Sequence, residues 1–391
     1  MGAEAEQFRS RFATWLDANV PAQWRFLAEN DTTDEGLIAI RRDWGRTLFA
    51  AGLLGPSLPK EQGGMGLDIE QAVVYAEEYA RAGAPEPANA NSIDIFLPSL
   101  MRFGTASQQS RIIDPMLRHD ELWSQGFSEP EAGSDLAAVK TRAVLDGDTF
   151  RITGQKVWTS LAHFSDFCYV LVRTDPDSQR HAGLSLMAVS MHQPGVDARP
   201  VRQITGRSEF CEVFFDGATA SQDDVIGGVG NGWAVAMHML GQERSVRLAM
   251  RAFRLRQTFD DLRRLADRVA SPAGPGSTGP GSDRHGSVRA KLADLYVTTL
   301  VMNSVARRNV ALAAAGEDFG AFAAMGKLTW SDASQEQAKF ALDLLGPDAI
   351  APENQRWVDA VLTSRAMSIY GGTSQIQRNI IAAGAGLQSY R

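Results

Sequence analysis

Along the first 118 residues apolar side chains recur at three- and four-residue steps, as in Phe8, Phe12, Trp15 and Leu16, a spacing that gathers them on one face of a helix. The pattern breaks at Gly55-Pro56-Ser57-Leu58-Pro59 and again at Gly63-Gly64-Met65-Gly66. Proline removes backbone donors and glycine admits positive φ, so a loop is expected there. Helix should resume near Asp68, whose short carboxylate suits an N-cap. After Leu122 the period shortens to two. Residues 141–145 and 150–152 alternate apolar with polar around Asp146-Gly147, a favoured hairpin pair, and residues 167–173, 184–189 and 212–215 continue the strand pattern. From Trp233 the helical step returns. Leu248, Ala252, Leu255, Phe259, Leu262, Ala266 and Val269 form one stripe that should be buried against neighbouring helices. Residues 271–286, rich in Ser, Gly and Pro, predict a flexible surface excursion before helix continues at Val288.

Helices, then strands, then helices suit a β-module between two helical modules, with boundaries that place domains at 1–121, 122–230 and 231–391. A chain of 391 residues exceeds one ordinary core, which stops growing near about 250–300 residues. With 44% hydrophobic and 22% charged residues the composition is that of a globular protein. The net charge of −7 disfavours a nucleic-acid binder. Only Cys168 and Cys211 are present, too few for a disulfide framework, and both are expected to be buried. The six histidines show no metal-ligand spacing, so no metal is expected, and His238 reads as a packed or solvated residue. The first residues lack a signal-peptide pattern and no apolar run is long enough for a bilayer, which points to a cytoplasmic protein without a membrane association. Gly227-Gly228-Val229-Gly230-Asn231-Gly232 lacks the strand, acidic residue and spacing of a dinucleotide fingerprint and predicts a β-to-α turn.

Three strings carry chemistry. Phe127-Ser128-Glu129-Pro130-Glu131-Ala132-Gly133-Ser134-Asp135, then Gly154-Gln155-Lys156-Val157-Trp158-Thr159-Ser160, then Ile369-Tyr370-Gly371-Gly372-Thr373-Ser374-Gln375-Ile376-Gln377-Arg378-Asn379 resemble, in order and spacing, the three signatures of the acyl-CoA dehydrogenase family. The resemblance extends over nearly the whole chain. It implies an α+β multi-domain fold: an N-terminal helical domain, a middle β-barrel or sandwich domain and a C-terminal four-helix bundle. It also implies FAD and removal of a proton and a hydride from adjacent carbons of an acyl thioester.

That reaction needs a base, a hydride acceptor and donors that polarise the carbonyl. By resemblance Gln125, Phe127 and Ser128 meet the flavin, and Gly133 and Ser134 lie by its pyrophosphate and the thioester arm. Trp158, Thr159 and Ser160 form its edge, Thr373 and Gln375 reach its ribityl and phosphate region, and Gly346 approaches the adenine of the partner subunit. Many members carry the catalytic Glu where this chain has Gly371. Others place it on a different helix, and Glu243 matches that position, with Arg244 orienting it or the acyl carrier. By periodicity Glu243 lies about 140° around the helix from Leu248, facing either a cleft or water. The Gly371 N–H is left to bond the thioester carbonyl. Residues 271–286 replace the family's Arg-x-x-Phe-Gly stretch, and Gly241 replaces an acidic pantetheine contact. The implied partners are a CoA or carrier-protein thioester, bulky or branched and with steroid side chains among the possibilities, and an electron-transferring flavoprotein. The implied assembly is a homodimer or homotetramer. A heteromer with a non-catalytic subunit and a flavin oxidase on the same fold are the alternatives.

Overall fold

The computed structural model describes residues 2–22, 24, 33–242, 246–270, 281–314 and 320–387. The helices among them are α1 (Ala3–Asn19), α2 (Asp34–Ala50), α3 (Ile69–Arg81), α4 (Leu97–Phe103), α5 (Ala106–Leu117), α6 (Gly232–Gln242), α7 (Val246–Ala270), α8 (Gly281–Ala314), α9 (Gly320–Leu345), α10 (Gln355–Met367) and α11 (Ser374–Gly384). The strands are β1 (Trp123–Gly126), β2 (Arg142–Asp146), β3 (Thr149–Ser160), β4 (Phe167–Arg173), β5 (Leu184–Ser190), β6 (Val196–Val201), β7 (Phe210–Ser221) and β8 (Val225–Ile226). The expected order of helices, sheet and helices is present. The chain divides into two compact units whose segments alternate along the sequence: Met1–Glu29 with Asp68–Ala84 and Arg244–Arg391, and Asn30–Leu67 with Pro85–Glu243. A helical stripe states that a face is buried, not what buries it, so this partition of the N-terminal helices was invisible in the periodicity.

In the helical unit, Phe8, Phe12 and Leu16 bury the predicted face of α1. Phe12 stacks on Tyr75 of α3 with ring centroids 4.7 Å apart, and Tyr75 on Tyr79 at 5.5 Å. The α3 helix starts as expected: the Asp68 carboxylate accepts from the Gln71 N–H at 2.8 Å, and the Gln71 side chain accepts from the Asp68 N–H. Ala252, Leu255, Phe259, Leu262 and Ala266 are buried on α7. Phe259 and Leu262 share a core with Leu295 of α8, Ala341 and Leu344 of α9 and Trp357 of α10. Two expectations are corrected here. Val269 is 42% exposed, because α7 ends one residue later, beyond its packing partners. The α8 helix begins at Gly281, so residues 281–286 are helical rather than part of an excursion. Once the strong pattern from Val288 has nucleated a helix, adding residues to its end costs little. Residues 271–280 lie outside the described residues.

The sheet unit has strand order β6-β7-β3-β2-β4-β5-β8, with β1 parallel to β4. The β2 and β4 strands meet only at Arg142 and Arg173, so the sheet is two halves joined at one pair. Ile152, Cys211, Val213 and Phe215 from one half share a single core with Cys168, Val170, Met187 and Val189 from the other. Both cysteines are fully buried and free, as expected. The hairpin turn sits one residue later than Asp146-Gly147: Asp146 pairs with Thr149, and Gly147 turns at φ 65°. The β6 strand escaped notice because it lies at the end of the strand order, where Pro200 is tolerated and burial is incomplete. Residues 227–231 make the predicted β-to-α turn between β8 and α6. Gly232 opens α6 against β5, where a Cβ would stand 2.4 Å from the Ser185 carbonyl carbon. His238 of α6 is packed: its Nδ1 lies 2.7 Å from Ser99 Oγ and its ring meets Phe103 edge-on. Among the described residues no helix is long and apolar enough to cross a membrane.

Candidate active site

The first signature leaves β1 as a loop anchored by a buried ion pair. Lys156, wholly inaccessible on β3, donates to the Phe127 carbonyl at 3.0 Å and to Glu129 Oε1 at 2.8 Å. Glu129 also accepts from the backbone N–H groups of Lys140 at 2.6 Å and Thr141 at 2.9 Å. The Val157 N–H donates to the Ser128 carbonyl at 2.9 Å. Burial works to raise the Glu129 pKa, but Lys156 and the backbone donors outweigh it and hold the carboxyl below its usual range. Burial pushes the Lys156 ammonium down to about 8, against the pull of Glu129. Both are therefore charged at neutral pH. Phe127 is buried edge-on against Tyr169, with centroids 6.4 Å apart, and Ser128 is half-buried. Gly133 and Ser134 are exposed, and a Cβ at Gly133 would meet nothing within 4 Å. Gln125, on β1, accepts a long 3.5 Å hydrogen bond from Asn91.

The second signature contains a bulge. Between Lys156, opposite Val213, and Thr159, opposite Cys211, β3 carries one residue more than β7. Trp158 takes up the difference at φ 59°, a left-handed conformation that costs a non-glycine residue about 1–2 kcal/mol. The bulge leaves its indole 59% exposed, touching Phe210 edge-on. Ser160 is exposed as well. Thr159 between them is fully buried, and its hydroxyl has no partner among the described residues. Strand alternation turns Thr159 inward, so its side chain is enclosed, while Trp158 and Ser160 face outward.

The third signature lies in the helical unit. Gly371 and Gly372 turn in left-handed conformation, φ 61° and 87°, immediately before Thr373 caps α11 by accepting from the Ile376 N–H. Gln375 is exposed on the first turn. Gln377, fully buried, donates to the Gly371 carbonyl at 2.9 Å and the Gly372 carbonyl at 3.2 Å. Lys327 of α9, 4% exposed, donates to the Gly372 carbonyl at 2.7 Å. Gly346 follows α9 at φ 54° with open space where a Cβ would stand. Glu243 and Arg244 lie outside the described residues. Gly241, near the end of α6, is exposed.

Lys156, Glu129, Lys327 and Gln377 received no role from the sequence. Three stand inside the quoted signatures, where attention to ligand contacts hid a supporting function. The signal for Lys327 was one charge in the stretch Ala323-Ala324-Met325-Gly326-Lys327-Leu328. A cation enclosed by small and apolar neighbours must find acceptors.

Residues 2–120, 124–218 and 230–386 match the N-terminal, middle and C-terminal domains of acyl-CoA dehydrogenase. The chain belongs to the acyl-CoA dehydrogenase family, a class of FAD-dependent oxidoreductases acting on acyl-CoA. It is 40% identical over 392 residues to acyl-CoA dehydrogenase IpdE1 of Mycobacterium tuberculosis, covering 97% of this chain and 96% of that one. The IpdE1 of Mycolicibacterium smegmatis is 38% identical with the same coverage. Among solved structures the Tcur3481-Tcur3483 steroid ACAD superposes with a TM-score of 0.86 at 26% identity, over 100% of this chain and 99% of that one. The sheet unit fits the family's cofactor. An exposed indole, the neighbouring Ser160 hydroxyl and the open backbone at Gly133 offer a flat apolar surface, a polar atom and room for close approach.

Proposed function

We propose that this chain desaturates a bulky acyl-CoA between its α and β carbons, with a polycyclic, steroid-derived acyl group as the favoured class. The observation that carries the proposal is the bulge at Trp158. Backbone strain there serves to present an indole that packing would otherwise enclose, beside a loop pinned by a buried ion pair. The preference for a bulky acyl group is supported by the likeness to a steroid ACAD.

Within this proposal bound FAD supplies the hydride acceptor. Trp158, Thr159, Ser160, Phe127, Ser128 and Gln125 orient its ring, Gly133, Ser134, Thr373 and Gln375 serve its phosphates and ribityl chain, and Gly346 approaches the adenine of the partner subunit. Glu243, the residue after Gln242 in the sequence, takes the α-proton. Arg244 orients that carboxylate, and the Gly371 N–H bonds the thioester oxygen, acidifying the α-carbon. An electron-transferring flavoprotein is the proposed reoxidant, a homo-oligomer the proposed assembly, and 1–121, 122–230 and 231–391 the proposed domains.

The test is anaerobic mixing of the FAD-loaded protein with a panel of acyl-CoA thioesters, followed by flavin absorbance. Bleaching should be fastest with polycyclic acyl groups, and Glu243→Gln should slow it by about 10³-fold. Equal bleaching by the variant removes Glu243 as the base. Gly371 favours a second reading, a non-catalytic subunit of a heteromer, which predicts no bleaching of the isolated chain by any thioester.

A further inference from the structure

We infer that the outward face of α8 is the surface through which two copies of this chain pair, antiparallel across a two-fold axis at Val301. This rests on the proposal that the chain forms a homo-oligomer. The inner face of α8 is already filled, with Leu295, Met302, Ala306 and Val310 buried. About half a turn away, where a surface helix ordinarily carries charge, the chain places Ala290, Ala293, Val297, Leu300, Val301 and Ser304, all exposed. Val297 is 58% exposed, Leu300 41% and Val301 49%. The six positions advance mainly by steps of three and four residues, so they form one continuous seam about 21 Å long. A helix that is apolar on both faces is one that is covered on both.

Charge identifies what covers the seam. On α8, Lys291 pairs with Glu336 at 2.8 Å and Arg307 pairs with Glu77, both within the chain. Asp294 and Arg308, both exposed, have no ion-pair partner among the described residues, and the Arg308 guanidinium rests over the Phe322 ring at 4.8 Å. Asp294 stands seven residues before Val301, and Arg308 stands seven after it. Seven residues are two turns less about 20°, so both charges share the Val301 side of the helix, each about 10.5 Å along the axis from it. That arrangement is its own complement. Across a two-fold axis residue i meets residue j and j meets i, so Asp294 of each copy meets Arg308 of the other, twice over. A parallel pairing sets Asp294 against Asp294 and Arg308 against Arg308, like charges that repel. An unrelated partner does not require opposite charges equidistant from one valine. Exposed ion pairs contribute little affinity, so burial of the valines and Leu300 drives association, and the two pairs fix its direction and register.

The experiment measures the mass of the FAD-loaded full chain by analytical ultracentrifugation. Wild type should be a homo-oligomer. Val301→Glu sets two carboxylates against each other on the axis and should bring the mass down to about half, for a dimer or a tetramer alike. Asp294→Arg should raise the dissociation constant at least about 10-fold, and combining it with Arg308→Asp should restore the constant to within about threefold of wild type. Val301→Cys should join two copies through a disulfide on treatment with diamide, because a residue on the axis meets its own copy. The chain's own two cysteines are buried and do not compete. Ala290→Cys, about 16 Å from the axis, should not cross-link. An oligomer whose mass is unchanged by Val301→Glu, with no cross-link at position 301, overturns this surface and leaves the homo-oligomer standing. A wild type that is monomeric, or that gains mass only with a different chain, overturns the homo-oligomer itself, so the two failures are distinguishable. If Val301→Glu does not fold, the cross-link decides the matter.

Discussion

The signature-bearing regions of the two units solve the same problem with different backbones. In the sheet unit a residue beside the signature loop is bent into left-handed conformation although it is a tryptophan. In the helical unit the left-handed positions are glycines. Both segments have a carbonyl fastened by a buried lysine, Lys156 on Phe127 and Lys327 on Gly372. Lys156 is matched by a carboxylate that itself binds two backbone amides, whereas the Gly371-Gly372 turn is held by Lys327 together with a neutral amide. The difference teaches what each must present. A strand bulge that displays a large side chain needs an electrostatic anchor to hold strain, while a glycine turn that displays only amides needs its direction fixed.

The sharpest way to break this comparison is to remove each lysine. Lys156→Met leaves Glu129 buried without its cation and should cost about 3–5 kcal/mol in urea denaturation. Lys327→Met removes a charge-assisted hydrogen bond and should cost about 1.5–3 kcal/mol. Equal losses would mean that the ion pair adds nothing to the anchor.

Acid should separate the units next. Burial holds His119 of the sheet unit down at about 4, against 6.5 for the free group. Below pH 6.5 the unfolded chain therefore takes up a proton that the folded one refuses. Stability is full above 6.5 and falls as the pH drops toward 4, by about 3 kcal/mol. The lowered Glu129 pKa acts in the same direction at still lower pH, where its stabilising charge is lost. Amide exchange at pH 4.5 should accelerate in the sheet unit first, and His119→Asn, which tolerates the left-handed backbone at this position, should flatten the dependence. Acceleration confined to the helical unit would contradict the assignment.

The smallest effects come at the left-handed positions themselves. Trp158→Gly removes a large side chain yet should leave stability within about 1 kcal/mol of wild type, because relief of strain offsets the lost contacts. FAD retention on gel filtration should fall at the same time. Gly372→Ala, with φ 87° and a Cβ against Gln377, should destabilise by about 1–2 kcal/mol. A marked loss of stability in Trp158→Gly would show that the indole is structural.

The sequence carried the three-part order of elements, the α3 cap at Asp68, the burial of both cysteines and the signatures, because each depends on local period or on a contiguous string. It also placed β4 at residues 167–173, the bounds that the structure has. It could not place Thr159 and Ser160 on opposite faces of β3, since the bulge that sets their phase comes from pairing with β7, which is remote in sequence. Nor did it separate α1 and α3 from α2, α4 and α5, because burial of a stripe does not name the partner. What the amino-acid order settled alone is which residues can do the chemistry. Tertiary structure decided which of them are presented and what fixes them, because a buried lysine's purpose is written in the carbonyls that long-range folding brings to it, and those lie 29 residues away for Lys156 and 45 for Lys327.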